Sequence, residues 1–75
     1  MKPVAVESTI LTMVAYDADR ALLQLGFRDQ DVYCYFDVPV DVHENLLRAS
    51  SKGSYFNRFI RGRFAYARVS ADSLS

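Results

Sequence analysis

The alternation of apolar and polar residues in the first half of the chain predicts three β-strands. Residues 10–16 have apolar side chains on both faces, as is typical of a strand enclosed on both sides. Residues 22–28 also alternate, and residues 31–38 hold a period of two over eight positions. The connections between these runs are short and rich in aspartate, which favours tight turns and therefore an antiparallel meander.

A tyrosine pair marks the third predicted strand. Tyr33 and Tyr35 are two residues apart, so both rings project from one face, where they can stack unpaired nucleobases. The opposite face is expected to meet the core through Val32, Cys34, Phe36 and Val38. The alternative is that helices cover the tyrosine face and that the hydroxyl groups only reach water or carbonyl groups.

The pattern becomes helical at Pro39. Proline suits the first turn of a helix, and one or two helices are predicted between residues 39 and 61, the second of them capped by Ser51. Residues 64–69 alternate again and predict a short last strand, while residues 70–75 are predicted to be a frayed tail.

These elements predict one α+β domain over residues 5–69. It consists of a three-stranded antiparallel meander, one or two helices and a short C-terminal strand. A strongly bent sheet of this size can close into a partial barrel that resembles Sm-like or SH3-like folds. Exposed strand edges also favour pairing with a second copy, so a homodimer or higher homo-oligomer is a further expectation.

Composition excludes several classes of protein. The chain has 75 residues, 51% of them hydrophobic, and a formal net charge of zero, which argues against disorder. No apolar run approaches the roughly 20 residues of a membrane span, and the N-terminal stretch lacks the form of a signal peptide. A single cysteine cannot form an intramolecular disulfide. A cytoplasmic protein with no membrane partner is therefore expected.

The zero net charge conceals an uneven distribution along the chain. Residues 1–47 hold three basic and eight acidic side chains, whereas residues 48–75 hold six basic side chains and one acidic one. A basic C-terminal third attracts polyanions. The alternative is that its arginines pair with the acids of the first half.

Two features of this basic third suit a nucleic acid. Ser51, Lys52 and Gly53 place free backbone amides and an ammonium group at a predicted helix start, which is a way to hold a phosphate. Arginines interleaved with aromatic residues follow, and this composition suits phosphate pairing and planar stacking. The arginines are Arg58, Arg61 and Arg63, and the aromatic residues are Tyr55, Phe56, Phe59 and Phe64.

Catalysis has little support in the sequence. His43 is the only histidine and has no second histidine or cysteine at a metal-ligand spacing. Cys34 lies among apolar residues, where a thiol is usually inert. No catalytic residue, metal or cofactor is assigned, and the protein is not expected to be an enzyme.

The ordered residues of the chain resemble the KTSC domain family over roughly residues 8–66. The central Tyr33-x-Tyr35 and the run Ser51-Lys52-Gly53-x-x-Phe56-Asn57 together carry this resemblance. Further matching positions are Ser8, Leu11, Val14, Tyr16, Asp17, Leu23, Leu25, Phe27, Val32, Val38, Pro39, Leu46, Ala49, Ile60 and Arg61.

The resemblance implies a small bacterial domain that also occurs at the C-terminus of some lysyl-tRNA synthetases, where RNA binding is the usual suggestion. It implies family-pattern roles for Tyr33, Tyr35, Ser51, Lys52, Gly53, Asn57 and Arg61. Two positions depart from the family pattern. Gln30 stands where glycine is common, so a different turn geometry is expected, and His43 stands where an aromatic residue is usual, so weaker helix packing is expected.

The sequence therefore predicts a non-enzymatic module that binds RNA or another single-stranded nucleic acid. Its predicted binding residues are Tyr33, Tyr35, Ser51, Lys52, Gly53, Asn57, Arg58, Arg61 and Arg63. The alternative is a protein-interaction or homo-oligomerisation module that uses the same aromatic and arginine surface.

Overall fold

A five-stranded antiparallel sheet forms the body of the domain in the computed structural model, which describes residues 3–6, 8 and 10–69. Its strands are β1 (Val4–Ala5), β2 (Leu11–Asp17), β3 (Leu22–Phe27), β4 (Val32–Tyr35) and β5 (Tyr66–Val69). Each strand pairs with the next one along the chain, so β1 and β5 are the two edges of an open sheet. The predicted α+β meander is confirmed, and the sheet does not close into a barrel.

The first strand has no counterpart in the sequence prediction. Val4 of β1 pairs with Val14, and Ala5 pairs with Met13. A strand of two residues is too short to produce a period-two pattern, which explains why the alternation did not indicate it. At the other end of the chain, the predicted frayed tail over residues 70–75 lies outside the described residues.

A β-bulge explains why β2 is apolar on both faces. The pairing of β2 with β3 shifts between Leu11 and Met13, so that one extra residue is inserted into β2. Leu11 and Val14, three positions apart, are consequently both fully buried. The apolar side chains that seem to alternate between two faces therefore reach one core.

Aspartates close the two tight turns as predicted. The Asp17 carboxylate accepts a hydrogen bond from the Asp19 amide at 3.1 Å, and the Asp29 carboxylate accepts one from the Asp31 amide at 3.0 Å. Gln30, in the second turn, has a φ of 73°. This left-handed conformation is the one that glycine favours. The turn thus keeps a glycine-type geometry in spite of the glutamine.

Two short helices connect β4 to β5. The first, α1 (Val40–Arg48), begins after Pro39, which is its N-cap, and the second, α2 (Lys52–Tyr55), continues without a break into a π-helical turn (Phe56–Ile60), named here the π segment. In this segment the Arg61 amide donates to the Phe56 carbonyl five residues back, at 2.9 Å. No helix of the described residues is long and apolar enough to cross a membrane.

The helices pack on the sheet face that carries the tyrosine pair. Leu25 lies opposite Tyr33 and Leu23 opposite Tyr35 in the ladder between β3 and β4, and directly opposed residues share a face. The core joins this face to the helices and consists of Leu11, Val14, Leu23, Leu25, Tyr35, Val38, Leu46, Phe56 and Ile60. Of the two faces left open by the sequence, the tyrosine face is therefore the inner one.

The predicted face assignment of the third strand is consequently wrong. Tyr35 is only 4% exposed, whereas Phe36, expected in the core, is 37% exposed. The strand ends at Tyr35, and Asp37 then takes a positive φ of 57°, which redirects the chain. Val38 is buried because its amide, in the connection to α1, donates to the Ala21 carbonyl at 2.9 Å.

His43 packs against the sheet as an aromatic residue would. Its ring lies 4.6 Å from that of Tyr16 at an interplanar angle of 11°. The Tyr16 hydroxyl in turn donates to the Val38 carbonyl at 2.5 Å. The expectation that a histidine at this position weakens the helix packing is therefore wrong.

This stacking makes the stability of the domain depend on pH. Burial lowers the pKa of His43 below its ordinary value, and the nearby Glu44 carboxylate opposes that effect only in part. Because the folded pKa is below the unfolded one, the folded state favours the neutral ring. The stabilisation is complete above about pH 6.5 and is lost as the pH falls through the folded pKa.

The difference in melting temperature between the natural protein and His43→Phe tests this sign. Thermal unfolding at about pH 8 and about pH 5 is expected to show a larger acid-induced drop for the natural protein. Phenylalanine keeps the ring but cannot take up a proton. An equal drop in both proteins would show that His43 does not contribute to the acid sensitivity.

Candidate functional site

A groove with a volume of about 530 Å³ lies where the π segment faces the last two strands. We name it the tyrosine groove, and its principal lining residues are Tyr33, Tyr35, Tyr66, Phe56, Asn57 and Arg61. It brings together four of the predicted binding residues from two elements that are far apart in sequence.

Strand pairing places three tyrosine rings in this groove. Tyr35 lies directly opposite Tyr66 in the ladder between β4 and β5, and the two ring centres are 5.4 Å apart. Tyr33 meets the Tyr66 ring edge to face at 5.7 Å. The exposure of the rings differs sharply, because Tyr35 is 4% exposed, Tyr33 is half-buried and Tyr66 is 58% exposed.

Tyr35 forms the floor of the groove and not an open stacking platform. Its ring packs edge to face against Phe56 at 5.9 Å, and Phe56 is itself buried. The prediction that Tyr33 and Tyr35 together present two exposed rings is therefore wrong for Tyr35. The physical reason is that a sheet in so small a domain needs its apolar face covered, and the helices cover this one.

The Tyr35 hydroxyl stays protonated at neutral pH. Burial raises its pKa to about 12, and the neighbouring Tyr66 and Tyr33 raise it as well, while the Arg61 guanidinium acts in the opposite direction. A protonated phenol can donate a hydrogen bond to a ligand in the groove.

Asn57 and Arg61 form the helical wall of the groove. They are four positions apart along the π segment and its C-cap, and both side chains are exposed. The wider π-helical turn sets their spacing, and such turns occur frequently at functional sites. The chain leaves this wall at Gly62, whose φ of 75° needs a glycine.

The turn between β3 and β4 forms the other wall. It contributes Arg28 and Asp29 to the lining. The Arg28 Nε donates to the Ser8 carbonyl at 2.8 Å, which holds the side chain at the groove, and the Asp29 carboxylate is engaged by its own turn. With Arg61, the charged lining residues are two arginines and one aspartate.

The arginines of the basic third differ in their pairing. Ion pairs within 4.0 Å among the described residues join Arg68 to Asp31 and Arg20 to Asp17. In the same part of the chain, none joins a carboxylate to Arg58, Arg61 or Arg63. The alternative that the C-terminal arginines pair with the acids of the first half thus holds for Arg68 alone.

The predicted phosphate cradle at residues 51–53 has structural roles and lies apart from the groove. The Ser51 hydroxyl accepts the Ser54 amide at 3.3 Å as a helix cap, which confirms the predicted capping. The Lys52 ammonium group donates to the Ala49 carbonyl at 3.1 Å, and Gly53 is buried. These contacts occupy the groups that the sequence assigned to a phosphate.

Arg58 and Arg63 are exposed but do not line the groove. The Arg58 guanidinium lies 5.8 Å from the centre of the Phe59 ring, which in turn contacts Tyr55 at 4.7 Å. Arg63 follows the π segment in the turn that leads to β5. Both add positive charge to the surface outside the groove.

The two residues considered for catalysis are separated by the sheet. Cys34 points to the face opposite the helices, since it alternates with Tyr33 and Tyr35, whereas His43 stacks on the helix-covered face. Partial burial raises the pKa of the Cys34 thiol, so the reactive thiolate is disfavoured. Within the described part of the chain, no three His, Cys, Asp or Glu side chains group to hold a metal ion.

Tyr66 is the main groove residue that sequence reasoning missed. Its alternation with Arg68 marked it as a strand residue, but its partner across the sheet is set by tertiary pairing. The usable signal was shared type: a third tyrosine in the last strand matches the pair in the third.

Comparison with known proteins places these features in a family. The family model of the KTSC domain matches residues 7–64. A crystal structure of a KTSC domain protein from Yersinia pestis superposes with a TM-score of 0.90 at 33% identity, covering 92% of this chain and 97% of that one.

Two curated relatives show that the same region occurs in proteins of very different length. A lysine–tRNA ligase of Nostoc punctiforme is 38% identical over 64 residues, which are 85% of this chain but 11% of the ligase. An uncharacterized protein of Stutzerimonas stutzeri is 34% identical over 92% of this chain and 99% of its own length. The chain thus spans about a ninth of the ligase and nearly all of the shorter relative.

Proposed function

The chain belongs to the KTSC domain family, and from that premise we propose that it is a cytoplasmic, non-enzymatic module that binds single-stranded RNA in the tyrosine groove. One observation carries the proposal: an exposed tyrosine ring, Tyr66, shares a groove with Arg61, which has no carboxylate partner among the described residues. An aromatic face beside a guanidinium group suits a base and its phosphate.

Each lining residue has a role in this proposal. A base stacks on the exposed Tyr66 ring, an interaction worth about 1–3 kcal/mol per base. The Asn57 amide, which can donate and accept, pairs with the edge of that base. Arg61 pairs with a phosphate, and Arg58 and Arg63 attract the backbone outside the groove.

The relatives support an RNA ligand. Lysine–tRNA ligases act, by their name, on a tRNA, and in the Nostoc protein this region is part of such an enzyme. The local charge supports it as well, because the exposed arginines on and after the π segment lie near the groove while the net charge of the chain is zero. Local fields, and not the total charge, attract a polyanion to one surface.

Replacing Arg61 with glutamate tests the groove as the binding site. The variant is expected to bind a short single-stranded RNA at least about tenfold more weakly, because the change removes a phosphate contact and adds a repulsive charge. Its salt dependence is expected to fall by about 0.7 in the slope of log K against log salt, the value for one lost contact on a single strand. Fluorescence anisotropy at two salt concentrations measures both effects.

Arg20→Glu is the matched control. Arg20 is exposed in the turn between β2 and β3, at the end of β3 opposite the groove, so the same charge change there leaves the groove intact. Equal losses of affinity in the two variants would show that general charge, and not the groove, attracts the RNA. The alternative of a protein-interaction or homo-oligomerisation module stays a prediction.

A further inference from the structure

The floor of the tyrosine groove gathers polar groups that stacking alone does not use. Tyr33, Tyr35 and Tyr66 each bring a phenol hydroxyl to the groove, and Arg61 brings a guanidinium group. The three rings lie within 5.7 Å of Tyr66 or of one another, centre to centre. All four side chains line one volume of about 530 Å³.

Their polar ends lie near one another as well. Tyr66 and Tyr33 are close enough to raise the pKa of the Tyr35 hydroxyl, and Arg61 is close enough to lower it. Neutral phenols and a guanidinium group are hydrogen-bond donors, so the floor offers several donors and one full positive charge to a single ligand group.

We infer that this floor binds a terminal phosphate of a single-stranded RNA, held by Arg61 and the hydroxyls of Tyr33, Tyr35 and Tyr66. The inference rests on the proposed function and names the part of the RNA that enters the groove. A terminal phosphate presents three free oxygens and close to two negative charges, whereas an internal phosphodiester presents two oxygens and one charge. The larger number of acceptors matches the donors on the floor.

The shape of the groove favours a strand end over the middle of a strand. Tyr35 and Phe56 close it from below and are 4% and 6% exposed. The turn after β3 and the π segment close it at the sides. A volume of about 530 Å³ is that of a pocket for one small molecule. An internal phosphate would have to bring a nucleoside on each side into this space.

The charge of the lining is compatible with an anion. Asp29 is the acidic side chain of the lining, and one of its oxygens accepts the Asp31 amide within its own turn. Arg28 stands beside it in sequence and lines the groove on the same wall. The positive charge of Arg61 is therefore not cancelled at the floor.

The experiment compares matched hexanucleotides with and without a terminal phosphate, at the 5′ end in one pair and at the 3′ end in the other. Anisotropy titrations at constant ionic strength are expected to show about tenfold tighter binding of the phosphorylated strand in one of the two pairs, about 1.4 kcal/mol. Tyr35→Phe, which keeps the ring and removes only the hydroxyl, is expected to reduce that preference at least about threefold. Tyr55→Phe, outside the groove, is expected to leave the preference at its natural value.

The outcomes separate this inference from the proposed function. Equal binding of phosphorylated and unphosphorylated strands in both pairs overturns the terminal-phosphate inference and leaves RNA binding intact. A preference that Tyr35→Phe does not change overturns the assignment to this floor. Binding of none of the strands overturns the proposed function and the inference together.

Discussion

Replacing Tyr35 with alanine is expected to lower the free energy of unfolding by about 3–4 kcal/mol. The ring is 4% exposed and packs against Phe56, and truncating a buried aromatic side chain to alanine typically costs about 3–5 kcal/mol. A domain of this length has a total stability of roughly 4–11 kcal/mol, so the variant loses a large part of it. Urea denaturation followed by circular dichroism measures the change.

Phe36→Ala is the matched comparison for this variant. Phe36 is the next residue along the chain, is aromatic and is 37% exposed, so its loss is expected to cost about 1 kcal/mol or less. The sequence pattern alone assigned the opposite burial to these two neighbours. If Phe36→Ala proved the more damaging change, the outward face of β4 would be the tyrosine face, and the groove described above would not exist.

Ile60→Ala is expected to have the second largest effect, a loss of about 3 kcal/mol. Ile60 ends the π segment and is fully buried, and truncating such a residue costs about 2–5 kcal/mol through lost burial and the cavity that remains. For a domain of this size the melting temperature should fall by roughly 12–24 °C. Thermal unfolding followed by circular dichroism tests this value.

The neighbouring Phe59 provides the control on the same segment. It is 48% exposed, so Phe59→Ala is expected to change the melting temperature by only a few degrees, about 0.5 kcal/mol. Similar losses in the two variants would mean that the π segment does not dock on the sheet through Ile60. The helical wall that positions Asn57 and Arg61 would then lack its anchor.

The sequence predicted the order of elements because each carries a local signal. Alternation identified β2, β3 and β4, the aspartates of the two turns bind backbone amides as expected, and Ser51 caps α2. These features depend on residues within a few positions of one another. The two-residue β1 has no such signal, because its only support is its pairing with β2.

The inner face of β4 could not be read from its residues. Both faces of that strand carry large apolar or aromatic side chains, so period two defined two faces without saying which one the helices cover. The answer depends on where α1 and the π segment land, which is a property of the whole chain. The early end of the strand at Tyr35 and the positive φ of Asp37 then moved Phe36 outwards.

The candidate site was predicted in part for the same reason. Arg61 and Asn57 were identified from composition and family pattern, and both line the groove. Tyr66 was missed because its place beside Tyr33 and Tyr35 depends on the pairing of β5 with β4. Lys52 was included because a lysine at a helix start suggests a phosphate site, but its ammonium group bonds to the Ala49 carbonyl.

Mapping backbone amide shifts by NMR during titration with a short single-stranded RNA tests the central claim most directly. The account predicts that the largest shifts fall on Asn57, Arg61, Gly62 and Tyr66, and that they are smaller at residues 51–53 and on the opposite face of the sheet around Cys34. Shifts concentrated at residues 51–53 or around Cys34, or no shifts at all at low salt, would contradict it.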